Sequence, residues 1–150
     1  MPLSGAAEPV ASATWQDVCL RRILRLPLRA VIMHTVLVVE DDRALRTLMV
    51  RTLSEKGYRA VEASDGIEAL EKLAADPDIE LVVTDIVMPR MNGVELAQQL
   101  AASARARLLF VSAYGEEYTE LPASLLEKPF SQAALIAEVE RLLEAQTPSQ

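Results

Sequence analysis

The sequence predicts an α/β fold built on a five-stranded parallel sheet, strand order 2-1-3-4-5, with helices on both faces. Three observations predict it. Short β-branched runs alternate with stretches whose apolar residues recur at helical spacing. The central runs, Val36-Leu37-Val38-Val39 and Leu81-Val82-Val83, are apolar at every position, as strands covered on both faces must be. Each run is followed by its own helix pattern, the rhythm that right-handed crossovers turn into a parallel sheet.

The first strand, His34 to Val39, runs into three consecutive acids, Glu40-Asp41-Asp42. Arg43 to Lys56 follows as an amphipathic helix with Asp42 as N-cap, Leu45, Leu48, Met49, Thr52 and Leu53 facing inward, and Gly57 as the stop. Tyr58 to Ala63 reads as a short strand, and Ser64-Asp65-Gly66 turns the chain into a helix over Ile67 to Ala75, ended by Asp76-Pro77. Ile79 to Thr84 is the central strand. It stops at Asp85, and Pro89 and Asn92-Gly93 close the loop that follows. A third helix is expected from Val94 to Ala102, then a fourth strand from Arg107 that ends in the hydroxyl of Ser112. Tyr114 to Pro122 is a poor helix former, so the fourth helix is expected to be shortened or irregular. Ser124 to Glu127 is a fifth strand ending at Lys128-Pro129-Phe130. Ser131 caps a last helix with Leu135, Ile136, Val139, Leu142 and Leu143 inward. In this flavodoxin-like order, function belongs at the carboxyl ends of the strands, beside the switch point between the first and third.

At 150 residues the chain is expected to fold as one domain with extensions: 1–32 as an N-terminal segment, 33–145 as the domain and 146–150 as a polar tail. The lone cysteine, Cys19, and lone histidine, His34, supply neither a disulfide nor a Cys/His metal site. Net charge is −7, against direct nucleic-acid binding, which needs clustered Lys and Arg. Residues 1–32 hold four arginines and two acids, +2, so the rest carries −9. Within them Trp15 to Leu26 can form a short amphipathic helix ended by Pro27. That segment reads as a disordered leader or one translated from an upstream start, with Met33 as the natural start; as a helix docking on the domain or a partner; or as a basic membrane-surface helix. No apolar run is long enough to span a bilayer and no secretory signal is evident, which points to the cytoplasm.

The strand ends line up on one edge of the sheet: Glu40, Asp41 and Asp42 from the first, Asp85 from the third, Ser112 from the fourth, Lys128 from the fifth. Carboxylates brought within about 4 Å repel by a few kcal/mol at an effective dielectric near 20, so such a cluster calls for a cation. Hard oxygen donors with open positions suit magnesium, which completes its shell with waters or a phosphate oxygen. Ser112 as a plain strand-end hydroxyl and Lys128 as a surface lysine are the rival readings. His34, at a strand start, reads as structural or exposed.

The runs Val38-Val39-Glu40-Asp41-Asp42, Thr84-Asp85-Ile86-Val87-Met88-Pro89-Arg90-Met91-Asn92-Gly93, Ser112-Ala113 and Lys128-Pro129-Phe130, in this order, resemble the receiver domain of two-component response regulators over Thr35 to Ala145. The resemblance implies that Asp85 is the phosphoacceptor, taking a phosphoryl group from a histidine kinase or histidine phosphotransfer protein. It implies that Asp41 and Asp85 ligate Mg2+ directly, Glu40 through water, and Val87 through its backbone carbonyl. Lys128 would pair with the phosphoryl oxygens, Ser112 would turn to hydrogen-bond one of them, and Lys128-Pro129 would be cis. The chain departs from the family in three ways. The Ser112 to Lys128 segment is short, which affects the usual output face. The switch aromatic is replaced by Leu125, leaving Tyr114 or Tyr118 to report the state. Val87 and Tyr114, flanking the phosphoryl group, are poor guides for an attacking water. Phe110-Val111-Ser112-Ala113-Tyr114 is similar to the Phe-Ala-Thr-Gly-Tyr segment of stand-alone receivers. The expected function is a single-domain response regulator acting through contacts with an unidentified downstream protein. The alternatives are a receiver piece of a hybrid histidine kinase, a magnesium-dependent phosphohydrolase, whose second acid would stand where Val87 does, and a flavin-binding electron carrier, which would need a phosphate-binding loop in place of these acids.

Overall fold

The computed structural model describes residues 33–103, 106–118 and 120–145. The helix expected between Trp15 and Leu26 and the tail at 146–150 lie outside the described residues. In chain order the elements are β1 (Thr35–Val39), α1 (Arg43–Lys56), β2 (Arg59–Ala63), α2 (Gly66–Ala75), β3 (Ile79–Asp85), α3 (Gly93–Ala101), β4 (Arg107–Ser112), a 3-10 turn (Gly115–Glu117), β5 (Ser124–Glu127) and α4 (Gln132–Glu144). All pairings are parallel and the strand order is β2-β1-β3-β4-β5, as expected. No helix among the described residues is long and apolar enough to cross a membrane.

Alternation of side chains along the central strands divides the interior into two layers. Val36 and Val38 of β1, with Leu81 and Val83 of β3, pack on Met49 and Leu53 of α1 and on Leu135, Val139 and Leu143 of α4. Leu37, Val39 and Val82 point the other way, against Ala69 of α2 and Leu96 and Leu100 of α3. Burial on both faces is why the centres of the two strands, Val36 to Val39 of β1 and Leu81 to Val83 of β3, are apolar at every position. The edge strands depart from the apolar pattern of the central runs. Arg59 and Glu62 of β2 and Glu127 of β5 are exposed, because an edge strand faces solvent along one side.

Local chemistry sets the helix ends. The Asp42 carboxylate accepts from the Leu45 N–H at 3.0 Å, and Gly57 closes α1 at φ 104°, a left-handed conformation that suits glycine. Asn92 and Glu95 form a reciprocal capping box at the start of α3. One residue of α1 departs from its expected face: Leu48 is 45% exposed, on the rim of a groove of about 360 Å³ that it shares with Leu45, Met49, Pro129 and Phe130. The buried stripe of α1 is narrowed to Met49, Thr52 and Leu53.

The expected fourth helix is reduced to the 3-10 turn. In its stead Tyr118, Leu121 and Ala123 pack on a third apolar cluster of Ile86, Ala97 and Phe110, joined by Leu125, the β5 neighbour of Phe110. Phe110 thus does the anchoring that a full helix face would spread over several side chains. Phe110→Ala is expected to cost about 3–5 kcal/mol, the range for truncating a fully buried aromatic, read as a lower urea midpoint.

Candidate functional site

The parallel sheet delivers the exits of β1, β3, β4 and β5 to one edge. Asp85 is the last residue of β3 and pairs in register with Val111. Ser112, the next residue on β4, pairs with Glu127, so Lys128 leaves β5 directly beside it, and the Lys128 N–H donates to the Ser112 carbonyl at 2.9 Å. Lys128-Pro129 is cis, as expected. The Lys128 Nζ lies 2.9 Å from Glu40 Oε2 and 2.9 Å from Asp85 Oδ2, tying β1, β3 and β5 together at one point.

Three carboxylates converge here. Glu40, Asp41 and Asp85 each offer an oxygen within 4.8 Å of the others. Among the described residues the Lys128 ammonium is the cation paired with them, and the excess of negative charge is one a divalent cation can cancel; all are hard oxygen donors of the kind magnesium takes. Their environments differ. Glu40 is 1% exposed and both its oxygens are engaged, Oε2 with Lys128 and Oε1 with the Asp42 N–H at 3.2 Å, an arrangement that suits contact with a cation through water. Asp41 is exposed, and Asp85 Oδ1 accepts only a long bond, 3.3 Å, from the Val87 N–H.

Ser112 is buried, and its hydroxyl accepts from the Tyr114 N–H at 3.1 Å. Val87 and Tyr114 stand at the rim, 56% and 57% exposed. Leu125 and Tyr118 are packed into the Phe110 cluster. His34 sits at the opposite end of β1, with Nδ1 2.7 Å from Glu80 Oε2, far along the strand from the carboxylates.

Three supporting residues were not singled out from sequence. Arg46, mostly buried, donates from Nη1 to the Glu40 carbonyl at 2.7 Å and reaches Glu62 on β2. Gly93 is irreplaceable in shape: a Cβ there would lie 2.2 Å from the Asp85 carbonyl oxygen. Arg90, in the loop after β3, forms an ion pair with Asp65 at the start of α2. The only signal for Gly93 was its place in the Asn-Gly pair, and the two arginines carried none, since their partners are distant in sequence.

Burial pushes the Glu40 carboxyl up to about 7; the hydrogen bond from Lys128 opposes the shift and the charge on Asp85 reinforces it. Lys128 is itself held above its ordinary value, because its bonds to Glu40 and Asp85 outweigh the effect of burial. Between the ordinary Glu40 value of 4.5 and about 7, the folded protein retains a proton that the unfolded chain has released. Its contribution therefore lowers stability as pH rises through that window. In chelator-treated protein the urea midpoint is expected to carry this decline, and Glu40→Gln to remove it; equal profiles for the two proteins would contradict the assignment.

Residues 36–140 match the family model described as response regulator receiver domain. The chain is 40% identical over 120 residues to the sensor kinase CckA of Brucella abortus, covering 75% of this chain and 13% of that one. It is 39% identical over 121 residues to the response regulator MprA of Mycolicibacterium vanbaalenii, covering 75% of this chain and 52% of that one. It thus spans about half the length of the response regulator and a small part of the kinase. Among solved structures it is similar to the response regulator protein TrrA of Thermotoga maritima in complex with Mg2+ and BeF, at 31% identity and TM-score 0.68, covering 73% of this chain and 99% of that one. With the sheet order, the acidic edge and the match over most of its length in agreement, this chain belongs to the response regulator receiver domain family.

Proposed function

We propose that this receiver domain, residues 33–145 with 1–32 as an extension, accepts a phosphoryl group on Asp85 from a histidine kinase or histidine phosphotransfer protein in the cytoplasm and passes the signal on by protein contacts. The observation that carries the reading is the convergence of Glu40, Asp41 and Asp85, with the Lys128 ammonium bonded to Glu40 and Asp85, at the exits of three strands. Asp41 and Asp85 would hold Mg2+ directly, the Val87 carbonyl would complete the protein ligands, and Glu40 would act through water. When bound, the ion would supply charge neutralisation at the phosphoryl oxygens.

The chain's own residues do the rest. Asp85 offers a carboxylate oxygen to phosphorus; the bond to the donor's imidazole nitrogen breaks as the bond to Asp85 forms, and the imidazole leaves to take a proton from solvent. Such a transfer asks mainly for in-line positioning and charge compensation. Lys128, held between Glu40 and Asp85, is aimed at the place where the new anionic oxygens arise. The phosphoryl oxygens then give the Ser112 hydroxyl an acceptor, drawing it from the Tyr114 N–H it now serves. That exchange pulls on the segment through Tyr114 and Tyr118 and so reaches the Leu125 and Phe110 cluster. The domain is not an enzyme acting on outside substrates; it catalyses only its own phosphorylation and dephosphorylation. A second reading, the receiver segment of a hybrid kinase, is favoured by the similarity to CckA. The Asp85 chemistry is the same in both.

Incubation with magnesium and acetyl phosphate is expected to place a single phosphoryl group on Asp85, located by mass spectrometry, with no label in Asp85→Asn. Label that survives in that variant refutes the proposal. Because Val87 and Tyr114, both exposed at the rim, are poor guides for an attacking water, the phospho-form is expected to persist for minutes or longer, followed as loss of label. A half-life of seconds is the contrary outcome.

A further inference from the structure

The loop that follows Asp85 is held at two places. At its base the Gly93 N–H donates to the Ile86 carbonyl at 2.8 Å, under the close contact between Gly93 and the Asp85 carbonyl. At its arch stands Arg90, whose φ of 67° makes it the non-glycine residue of left-handed conformation among the described residues. A side chain in that region costs free energy and persists only where contacts impose it.

The contacts are specific. Arg90 Nε lies 2.8 Å from Asp65 Oδ2, and Nη2 bonds the same oxygen. The other oxygen of Asp65 accepts from the N–H groups of Ile67 and Glu68, each at 2.9 Å, and so caps α2. Met91, the next residue, lies over Gly66: a Cβ there would be 2.7 Å from Met91 Cγ. The Asp65 carboxylate is buried, and although burial alone would raise its pKa, the Glu68 N–H and Arg90 hold it below the usual carboxylate range. It stays ionised, and loss of Arg90 would leave a desolvated charge without its partner.

We propose that Asp65 and Arg90 form a latch from the start of α2 to the arch of the β3–α3 loop, and that Arg90 is a positioning residue that sets the Val87 carbonyl for the cation and Asp85 for transfer. The role in transfer rests on the function proposed above; the latch itself does not. Arg90 touches none of the reacting groups. It acts through the path of the backbone.

Arg90→Gly accepts the left-handed backbone while removing the guanidinium, and Asp65→Asn keeps a capping oxygen while removing the charge. In the full-length, metal-free chain both are expected to raise amide hydrogen exchange across residues 86–92, with β1 and the rest of β3 as in the wild type. Calorimetric titration is expected to show Mg2+ affinity weakened roughly tenfold in each, as for residues that orient metal ligands. The double variant is expected to be no weaker than Arg90→Gly, since one bond is lost either way. Wild-type exchange and affinity in both single variants would overturn the latch, as would losses that multiply to about a hundredfold in the double variant. Should Asp65→Asn fail to fold, Arg90→Gly alone decides by the same two measurements. A wild-type chain that takes up no Mg2+ and no label at Asp85 refutes the proposed function and the positioning role with it, and is distinguished because the exchange difference between wild type and Arg90→Gly still appears.

Discussion

The ammonium of Lys128 between Glu40 and Asp85 is the interaction on which the rest of the site depends. Without it two carboxylates at the exits of adjacent strands would repel by about 4 kcal/mol at 4 Å separation and an effective dielectric of 20. Each feature of the fold serves to bring the three groups together. Parallel strands put all exits on one edge, the order β2-β1-β3-β4-β5 makes β1 and β3 neighbours, and the Lys128 N–H bond to Ser112 continues the β4–β5 ladder to the lysine. An antiparallel sheet from the same segments would send half of these side chains to the far end.

The second constraint is shape around Asp85. Gly93 leaves no room for a Cβ beside the Asp85 carbonyl, Arg46 ties the Glu40 carbonyl toward β2, and Arg90 reaches Asp65. These supports come from elements other than the strands that carry the carboxylates, so the acidic edge is braced by the three crossovers that join β1 to β2, β2 to β3 and β3 to β4. The opposite side is differently built. Where a fourth helix is expected, Tyr118, Leu121 and Ala123 pack on the Phe110 cluster, and the helical structure among the described residues of that segment is the single 3-10 turn. Rearrangement there disturbs few backbone hydrogen bonds, which suits the response to Ser112 in the proposed function.

Sheet order, strand limits and the residues of the acidic edge were legible in the sequence, because each rests on local signals: fully apolar runs, caps at Asp42 and Ser131, and acids immediately after strands. The reduced fourth helix was legible for the same reason, since Tyr114 to Pro122 lacks helical periodicity. Leu48 was misjudged because spacing alone does not give the width of a buried stripe; that width depends on how closely α4 approaches. Exposed Arg59, Glu62 and Glu127 show the same limit for edge strands, whose open side is a property of topology. The Arg90 to Asp65 pair was invisible, since it joins residues on different crossovers and is marked by a backbone angle that arginine does not advertise.

The unequal environments of the carboxylates would let one cluster serve both the cation and the phosphoryl group of the proposed function. Glu40, buried and bonded through both oxygens, is the least free to move, so it fixes Lys128 more than it competes for a ligand. Asp41 is open to solvent, and Asp85 keeps one oxygen on a long bond to Val87. Charge is thereby stored on the buried side while the exposed side stays available. In the proposed transfer, a dianionic phosphoryl group on Asp85 replaces the carboxylate charge that Lys128 now meets. The ammonium can follow that charge outward only as far as Glu40 allows, so movement is passed to the groups that are freer, above all the Ser112 hydroxyl and the irregular segment attached to it.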